Sequence, residues 1–300
     1  MELKDKVLKL KKERNAVILV HNYQIGEVQD VADYTGDSLG LAIEASKTDA
    51  KVIVFCGVHF MAETAKIVNP DKKVLMPDVS AGCPMADMIT AKGLKELKAK
   101  HPKAKVVAYV NTTADVKAES DICCTSANAS KVVESIKDTG EIIFVPDKYL
   151  GMYTARSSKK KFIYWEGYCP IHMAILPENI KKLKSEHPKA EVMVHPECTP
   201  ETIDLADKVL STGGMVREAK ESRSKEFIVG TEVGIIYRLK KENPEKKFYP
   251  ASERAICPNM KKTNLEKILW SLEDMKHEII IPEDVSVRAQ KAIDKMLELG

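Results

Sequence analysis

The sequence lacks the features that mark a membrane, secreted or nucleic-acid-binding protein. No apolar run approaches the ~18 residues that a membrane span needs, and residues 1–6 form a charged segment instead of a signal peptide. The 47 basic and 44 acidic residues give a net charge of only +3, without a block of one sign. This balance favours small anionic ligands over nucleic acid. We therefore expect a cytoplasmic protein without a membrane or nucleic-acid partner.

The cysteines also lack the pattern of a disulfide framework. Their number, seven, is odd, and no two of them have C-x-x-C spacing. Thiol chemistry or metal ligation fits such a set better. Four of them have no counterpart elsewhere in the chain, and we interpret these as small buried hydrophobic residues: Cys56, Cys123, Cys124 and Cys198.

Short β-branched runs alternate with helical patterns along the chain, and a hydrophobic content of 44% is ample for packed cores. Residues 16–20, 51–55 and 73–76 are three such runs in the first third of the sequence. Each is typical of a strand that is buried on both faces of a parallel sheet. Strands that alternate with helices predict an α/β fold.

Three Cys-Pro pairs recur at nearly equal intervals, since Cys83, Cys169 and Cys257 are separated by 86 and 88 residues. An unrelated landmark keeps this period, because residues 101–104 (His-Pro-Lys-Ala) recur as residues 187–190. A fixed period predicts internal triplication, here three pseudo-equivalent three-layer α/β/α domains around a central site. The predicted domains are residues 1–82 plus 259–300, residues 83–168 and residues 169–258. We expect the C-terminal helices to pack with the N-terminal helix on the first domain.

The same repeat aligns three sets of polar residues. Two sets follow the first strand of each unit, at the carboxyl ends where parallel sheets bind ligands. The third set is expected at helix starts, where free N–H groups and the helix dipole favour anions. Taken singly, these residues have ordinary structural roles such as helix capping, but their equivalence predicts one shared site. The sets are His21, Tyr109 and His195; Tyr23, Asn111 and Glu197; and Ser38, Ser126 and Thr212.

Equivalence across the units indicates that Cys83, Cys169 and Cys257 deliver three thiols to one point, which we interpret as a metal site. Zinc could form a closed Cys3His site with His172, in which case the chain is a zinc-stapled scaffold or binding protein. A [4Fe-4S] cluster held by three cysteines would instead leave one iron open as a Lewis acid. The surrounding ring of polar residues makes the cluster, and hence an enzyme, the better fit.

Several motifs resemble the quinolinate synthase family, in matching order and over nearly the whole chain. They are residues 21–24 (His-Asn-Tyr-Gln), 36–39 (Gly-Asp-Ser-Leu), 109–113 (Tyr-Val-Asn-Thr-Thr), 125–129 (Thr-Ser-Ala-Asn-Ala), 194–198 (Val-His-Pro-Glu-Cys), 211–215 (Ser-Thr-Gly-Gly-Met) and 259–262 (Asn-Met-Lys-Lys). The resemblance implies three α/β/α domains around a [4Fe-4S] cluster that is ligated by Cys83, Cys169 and Cys257.

The resemblance also implies a reaction. It is the condensation of iminoaspartate with dihydroxyacetone phosphate to quinolinate, with release of phosphate and two waters, in de novo NAD biosynthesis. A functional link to an iminoaspartate-producing oxidase or dehydrogenase follows from that substrate. Another [4Fe-4S] hydro-lyase, which acts on a different hydroxy acid, is the alternative among enzymes.

Within this resemblance we expect Glu197 to be the general base, because the reaction removes a proton next to a carbonyl. Tyr23, Tyr109 and His195 complete the expected catalytic set. His59 stands where the family usually carries aspartate, so we leave it out of the site. The expected substrate-binding residues are His21, Ser38, Tyr109, Asn111, Ser126, His195, Glu197 and Thr212.

Overall fold

The computed structural model describes residues 2–299, and within them the chain forms three four-stranded sheets. All strand pairs in these sheets are parallel. The three sheets share one strand order, in which the second strand of each unit lies at the edge beside the first. This common topology confirms the predicted α/β class and the triplication.

In the first unit, the most completely buried strand lies in the middle of the sheet. Its elements are α1 (Leu3–Glu13), β1 (Ala16–His21), α2 (Gly26–Gln29), β2 (Tyr34–Gly36), α3 (Ser38–Lys47), β3 (Val52–Cys56), α4 (His59–Ile67) and β4 (Lys73–Leu75). The strand order is β2-β1-β3-β4. All five residues of β3 are buried, as expected for a central parallel strand that helices cover on both faces.

The second unit repeats this arrangement with the order β6-β5-β7-β8. Its elements are a 3-10 helix (Ala86–Met88), α5 (Ala91–Lys100), β5 (Lys105–Tyr109), α6 (Ala114–Ala118), β6 (Ile122–Cys124), α7 (Ala129–Ser135), β7 (Glu141–Val145), α8 (Lys148–Ala155) and β8 (Lys161–Tyr164).

The third unit has the order β10-β9-β11-β12. Its elements are α9 (Pro170–Met173), α10 (Pro177–Glu186), β9 (Glu191–Val194), α11 (Pro200–Ile203), β10 (Lys208–Val209), α12 (Thr212–Glu221), β11 (Glu226–Gly230), α13 (Ile235–Glu242) and β12 (Lys247–Pro250).

An aspartate before each edge strand ties that strand to its neighbour. Asp33, Asp121 and Asp207 each accept a hydrogen bond through Oδ2 from a backbone N–H of the unit's first strand, at 2.8 Å in every unit. The edge strands β2, β6 and β10 have only two or three residues. Hydrophobic periodicity cannot reveal strands this short, so sequence analysis missed them, although the aspartates recur at the period of the repeat.

The two C-terminal helices pack on different units. Helix α14 (Leu265–Asp274) packs on α1 and β3 of the first unit, as expected, whereas α15 (Glu283–Leu297) packs mainly on α6 and β6 of the second. The expectation that the whole tail covers the first unit is therefore wrong for α15. The short elements α6 and β6 present Val116 and Ile122, which share a core cluster with Ile293 of α15. The boundaries of the three domains along the chain remain a prediction.

Among the helices of residues 2–299, none combines the length and the apolar character that crossing a membrane requires.

Candidate functional site

A central cavity lies where strands from all three units reach their carboxyl ends. Strands β1 and β5 end at His21 and Tyr109, and His195 directly follows β9. The cavity is lined by all twelve residues that the sequence analysis placed in the site. They are His21, Tyr23, Ser38, Cys83, Tyr109, Asn111, Ser126, Cys169, His195, Glu197, Thr212 and Cys257. The fold thus brings the expected set together, and the roles of its members remain predictions.

The three hydroxyl residues reach the cavity in two ways. Ser38 and Thr212 are the first residues of α3 and α12, as expected. Ser126 instead lies in a turn, because the Asn128 side chain accepts hydrogen bonds from Thr125 N (2.8 Å) and Oγ1 (3.2 Å) and delays α7 until Ala129. The expectation that Ser126 opens a helix is wrong. Its hydroxyl lies 3.2 Å from His195 Nε2.

One carboxylate, that of Asp37, caps two helices that belong to different units. Its Oδ1 accepts from Gly40 N of α3 at 2.9 Å, and its Oδ2 accepts from Gly213 N of α12 at 3.3 Å and from Ser211 Oγ at 3.1 Å. Ser211 Oγ in turn accepts from Gly214 N. The backbone N–H groups of Gly213 and Gly214 at the start of α12 are therefore already hydrogen-bonded within the protein. The side chain of Thr212, the first residue of this helix, lines the cavity.

Glu197 is the central carboxylate of the cavity. Tyr109 donates its hydroxyl to Glu197 Oε1 at 2.5 Å, and His172 Nδ1 lies 2.8 Å from Oε2. Burial raises the pKa of Glu197, but contacts with His172 and the Tyr109 hydroxyl lower it by more. Glu197 is thus held as a carboxylate at neutral pH. Burial, with the charge of Glu197, raises the pKa of the Tyr109 phenol well above its ordinary value.

The hydrogen-bond chain continues from Glu197 through two residues that sequence analysis did not place in the active site. His172 Nε2 lies 2.8 Å from Thr231 Oγ1, and Thr231 Oγ1 lies 2.5 Å from the Tyr23 hydroxyl. From the sequence, His172 is expected only as a possible zinc ligand, and no role is expected for Thr231. Thr231 directly follows β11, the third strand of its unit, so the rule of strand carboxyl ends, applied to the third strand of each unit, would have found it.

Two histidines in the cavity are held neutral. Burial lowers the pKa of His21 to about 4 and that of His195 to about 3, although Glu197 raises both. At neutral pH each ring is uncharged, and its Nδ1 accepts a backbone N–H, from Tyr23 in His21 and from Glu197 in His195, so that Nε2 carries the N–H donor. These rings can orient an anionic ligand through hydrogen bonds.

The three equivalent cysteines fit a cluster site by their exposure as well as their position. Cys83, Cys169 and Cys257 are partly exposed and line the one cavity, and each follows the last strand of one sheet. Burial raises the pKa of each thiol, so formation of thiolates there requires a bound cation. The other four cysteines, Cys56, Cys123, Cys124 and Cys198, are fully buried, as expected.

A closed zinc site with His172 fits less well. Cys169 Sγ, a ring nitrogen of His172 and a carboxylate oxygen of Glu197 lie within 4.8 Å of one another, but Cys83 and Cys257 do not join this group in the described part of the chain. Both ring nitrogens of His172 already face protein partners, Glu197 and Thr231. Three thiols that are more widely spread suit a larger inorganic cluster better than a single ion.

Comparisons with known proteins give matches over nearly the whole chain. The family model described as "Quinolinate synthetase A protein" matches residues 5–298. The quinolinate synthase of Dehalococcoides mccartyi (strain CBDB1) is 58% identical over 294 residues, which cover 98% of this chain and 97% of that protein. That of Geotalea uraniireducens is 56% identical over 298 residues, covering 99% and 98%.

A third relative has a similar degree of identity. Quinolinate synthase 1 of Methanosarcina acetivorans is 56% identical over 296 residues, which cover 99% of this chain and 97% of that protein. The family implies an iron–sulfur cluster, and the chain presents three convergent thiols for one. The family model covers all three units, and the chain therefore belongs to the quinolinate synthase family.

Proposed function

We propose that this enzyme condenses iminoaspartate with dihydroxyacetone phosphate to quinolinate, with release of phosphate and two waters, as a step of NAD biosynthesis. The observation that carries the proposal is the position of Glu197. An ionised carboxylate lies beside two tyrosines and the three convergent cysteines, inside a cavity with hydroxyl groups and neutral histidines. A condensation followed by dehydrations needs such a base next to groups that bind anions.

Cys83, Cys169 and Cys257 are the residues that would hold a [4Fe-4S] cluster. When bound through three cysteines, such a cluster supplies a Lewis-acidic iron that has no protein ligand. No other thiol lines this cavity among the described residues.

Glu197 is the proposed general base, and its two neighbours set its orientation. Tyr109 donates to Oε1 and His172 approaches Oε2, so the carboxylate cannot rotate freely between substrates. Because burial raises the pKa of the Tyr109 phenol, Tyr109 keeps its proton and can pass it on only when Glu197 has gained one. Tyr109 and Glu197 thus form a donor and acceptor pair at a fixed place.

Tyr23 is the second proposed proton donor, and Thr231 holds it. The Tyr23 hydroxyl, Thr231 Oγ1 and His172 Nε2 are hydrogen-bonded in sequence, and the other ring nitrogen of His172 lies 2.8 Å from Glu197 Oε2. These contacts couple the direction in which the Tyr23 hydroxyl points to the position of the Glu197 carboxylate. The substrate carboxylates and phosphate are assigned to the remaining polar residues of the cavity: His21, Ser38, Asn111, Ser126, His195 and Thr212.

The cellular setting follows from the chemistry. The seven cysteines are free thiols, which suits a reducing cytoplasm. Iminoaspartate is unstable in water, so the proposed reaction depends on an oxidase or dehydrogenase that produces it nearby.

The test is quinolinate formation by protein purified without oxygen, from dihydroxyacetone phosphate and iminoaspartate generated in the assay. Glu197→Gln, which keeps the shape but removes the base, should abolish turnover while iron content stays at the wild-type level. A loaded wild-type protein that forms no quinolinate but dehydrates a hydroxy acid would move the assignment to another hydro-lyase. Near-normal turnover by Glu197→Gln would remove Glu197 from the role of base.

A further inference from the structure

The hydroxyl of Thr212 is hydrogen-bonded in a way that determines which direction its hydrogen can point. Asn22 Nδ2 lies 2.9 Å from Thr212 Oγ1. An amide nitrogen can only donate, so Oγ1 accepts this bond. Among the described residues the Thr212 hydroxyl makes no other side-chain hydrogen bond, which leaves its hydrogen available to a ligand in the cavity that Thr212 lines.

The orientation of the Asn22 amide is itself set by a charge from another unit. Arg238 Nη1 donates to Asn22 Oδ1 at 2.8 Å and to the Thr35 carbonyl at 2.5 Å. Because the guanidinium has no acceptor, the atom that faces it must be the amide oxygen. The nitrogen therefore faces Thr212, and this assignment follows from chemistry alone.

Asn22 is an exception within the repeat. It is fully buried, while the equivalent positions one and two units later are Val110 and Pro196. A buried amide costs free energy unless its hydrogen bonds are made, and apolar residues serve this position in the other two units. The polar side chain is thus not needed by the fold of a unit, which points to a role at the cavity.

We propose that Asn22, oriented by Arg238, is a positioning residue that fixes the Thr212 hydroxyl as a hydrogen-bond donor to an oxyanion group of the substrate. This inference rests on the proposed function for the identity of the substrate. The amides of Gly213 and Gly214, which an anion would otherwise use at this helix start, already bond to Asp37 and Ser211. The Thr212 hydroxyl is then the group through which α12 binds the anion.

Asn22→Asp is the sharpest perturbation because it preserves shape and reverses the bond. The second carboxylate oxygen would face Thr212 Oγ1 and accept its hydrogen, so lone pairs of Oγ1 would face the bound anion. Hydrogen bonds to charged groups are strong enough that quinolinate should bind about 10- to 100-fold more weakly. Equilibrium titration of cluster-loaded protein with quinolinate, without oxygen, measures this change.

A double-mutant cycle with Thr212→Val separates positioning from the added negative charge. Thr212→Val should itself weaken quinolinate binding, and Asn22→Asp should then add less than about a twofold further loss. Asn69→Asp is the matched control, because Asn69 is a buried asparagine that donates to Ala65 O outside the cavity. Its quinolinate affinity should equal that of the wild type.

Two results would overturn the inference: wild-type affinity in Asn22→Asp, or a loss that persists undiminished in the Thr212→Val background. If Asn22→Asp does not fold, Arg238→Met releases the amide and should produce a smaller loss that also vanishes in that background. If the wild type neither forms nor binds quinolinate, the proposed function fails, and the same cycle is measured with inorganic phosphate. A wild type that binds neither quinolinate nor phosphate contradicts both the proposed function and the positioning role of Asn22.

Discussion

Replacement of Thr231 by valine tests the hydrogen-bonded chain that joins Tyr23 to Glu197. Valine has nearly the shape of threonine, so packing is kept while the one oxygen that bridges Tyr23 and His172 is lost. In the wild type that oxygen lies 2.5 Å from the Tyr23 hydroxyl and 2.8 Å from His172 Nε2, whereas these two partners are themselves 3.5 Å apart. Thr231→Val therefore leaves the Tyr23 hydroxyl and His172 Nε2 without their shared partner, with only the 3.5 Å contact between them.

The size of the effect follows from what the two partners lose. Each buried hydrogen bond is worth about 1–2 kcal/mol when one partner is removed, and loss of one or both from the transition state lowers kcat about 10- to 100-fold. KM should change less, because Thr231 does not line the cavity and the anion-binding residues are untouched. Thr231→Ser keeps the oxygen and should retain kcat within about threefold of the wild type.

The assay is steady-state quinolinate formation without oxygen, with kcat normalised to iron content. The iron content and thermal unfolding midpoint of each variant establish that it is folded and loaded. A Thr231→Val enzyme with kcat within twofold of the wild type would show that Tyr23 and His172 work independently of this bridge. A large loss shared equally by Thr231→Ser would assign Thr231 a packing role instead.

Two further predictions concern stability. Ile293 of α15 is fully buried against the second unit, so Ile293→Ala should lower the free energy of unfolding by about 2–5 kcal/mol and lower the thermal unfolding midpoint. Val287 on the same helix is 54% exposed, so Val287→Ala should have little effect. His21 should make the protein acid-sensitive: its native pKa is about 4 and its unfolded value 6.5, so the unfolded state binds a proton first and stability falls as the pH decreases from 6.5 towards 4. Asp37, Lys261 and Glu197 are the charged groups that act on His21. In His21→Gln the thermal unfolding midpoint should fall less steeply over this pH range. An unchanged pH dependence would contradict the role of His21.

The repeat could be predicted from the sequence because triplication leaves a spacing that needs no knowledge of contacts. Cys83, Cys169 and Cys257 were connected by interval alone, and the fold brings them to one cavity. The polar sets at strand ends followed from the same interval and from the geometry of parallel sheets. Features that occur once per unit at a fixed place are thus accessible from a single sequence.

Features that break the repeat were not accessible in this way. The contacts from Tyr23 through Thr231 and His172 to Glu197 join residues that are far apart in sequence. These contacts do not recur at the period of the repeat. Helix α15 packs on α6 and β6 of the second unit, where Ile293 shares a core cluster with Val116 and Ile122. Both depend on how the units pack, which periodicity within a unit does not encode.

The most direct test of the account is the iron and acid-labile sulfide content, with the visible absorption spectrum, of protein purified without oxygen. We expect about four irons and four sulfides per chain and a broad absorption band near the blue edge of the visible range. Cys169→Ser should lose both, while Cys198→Ser, which alters a buried thiol outside the cavity lining, should keep them. A colourless wild-type protein that binds one zinc would contradict the cluster and the mechanism built around it.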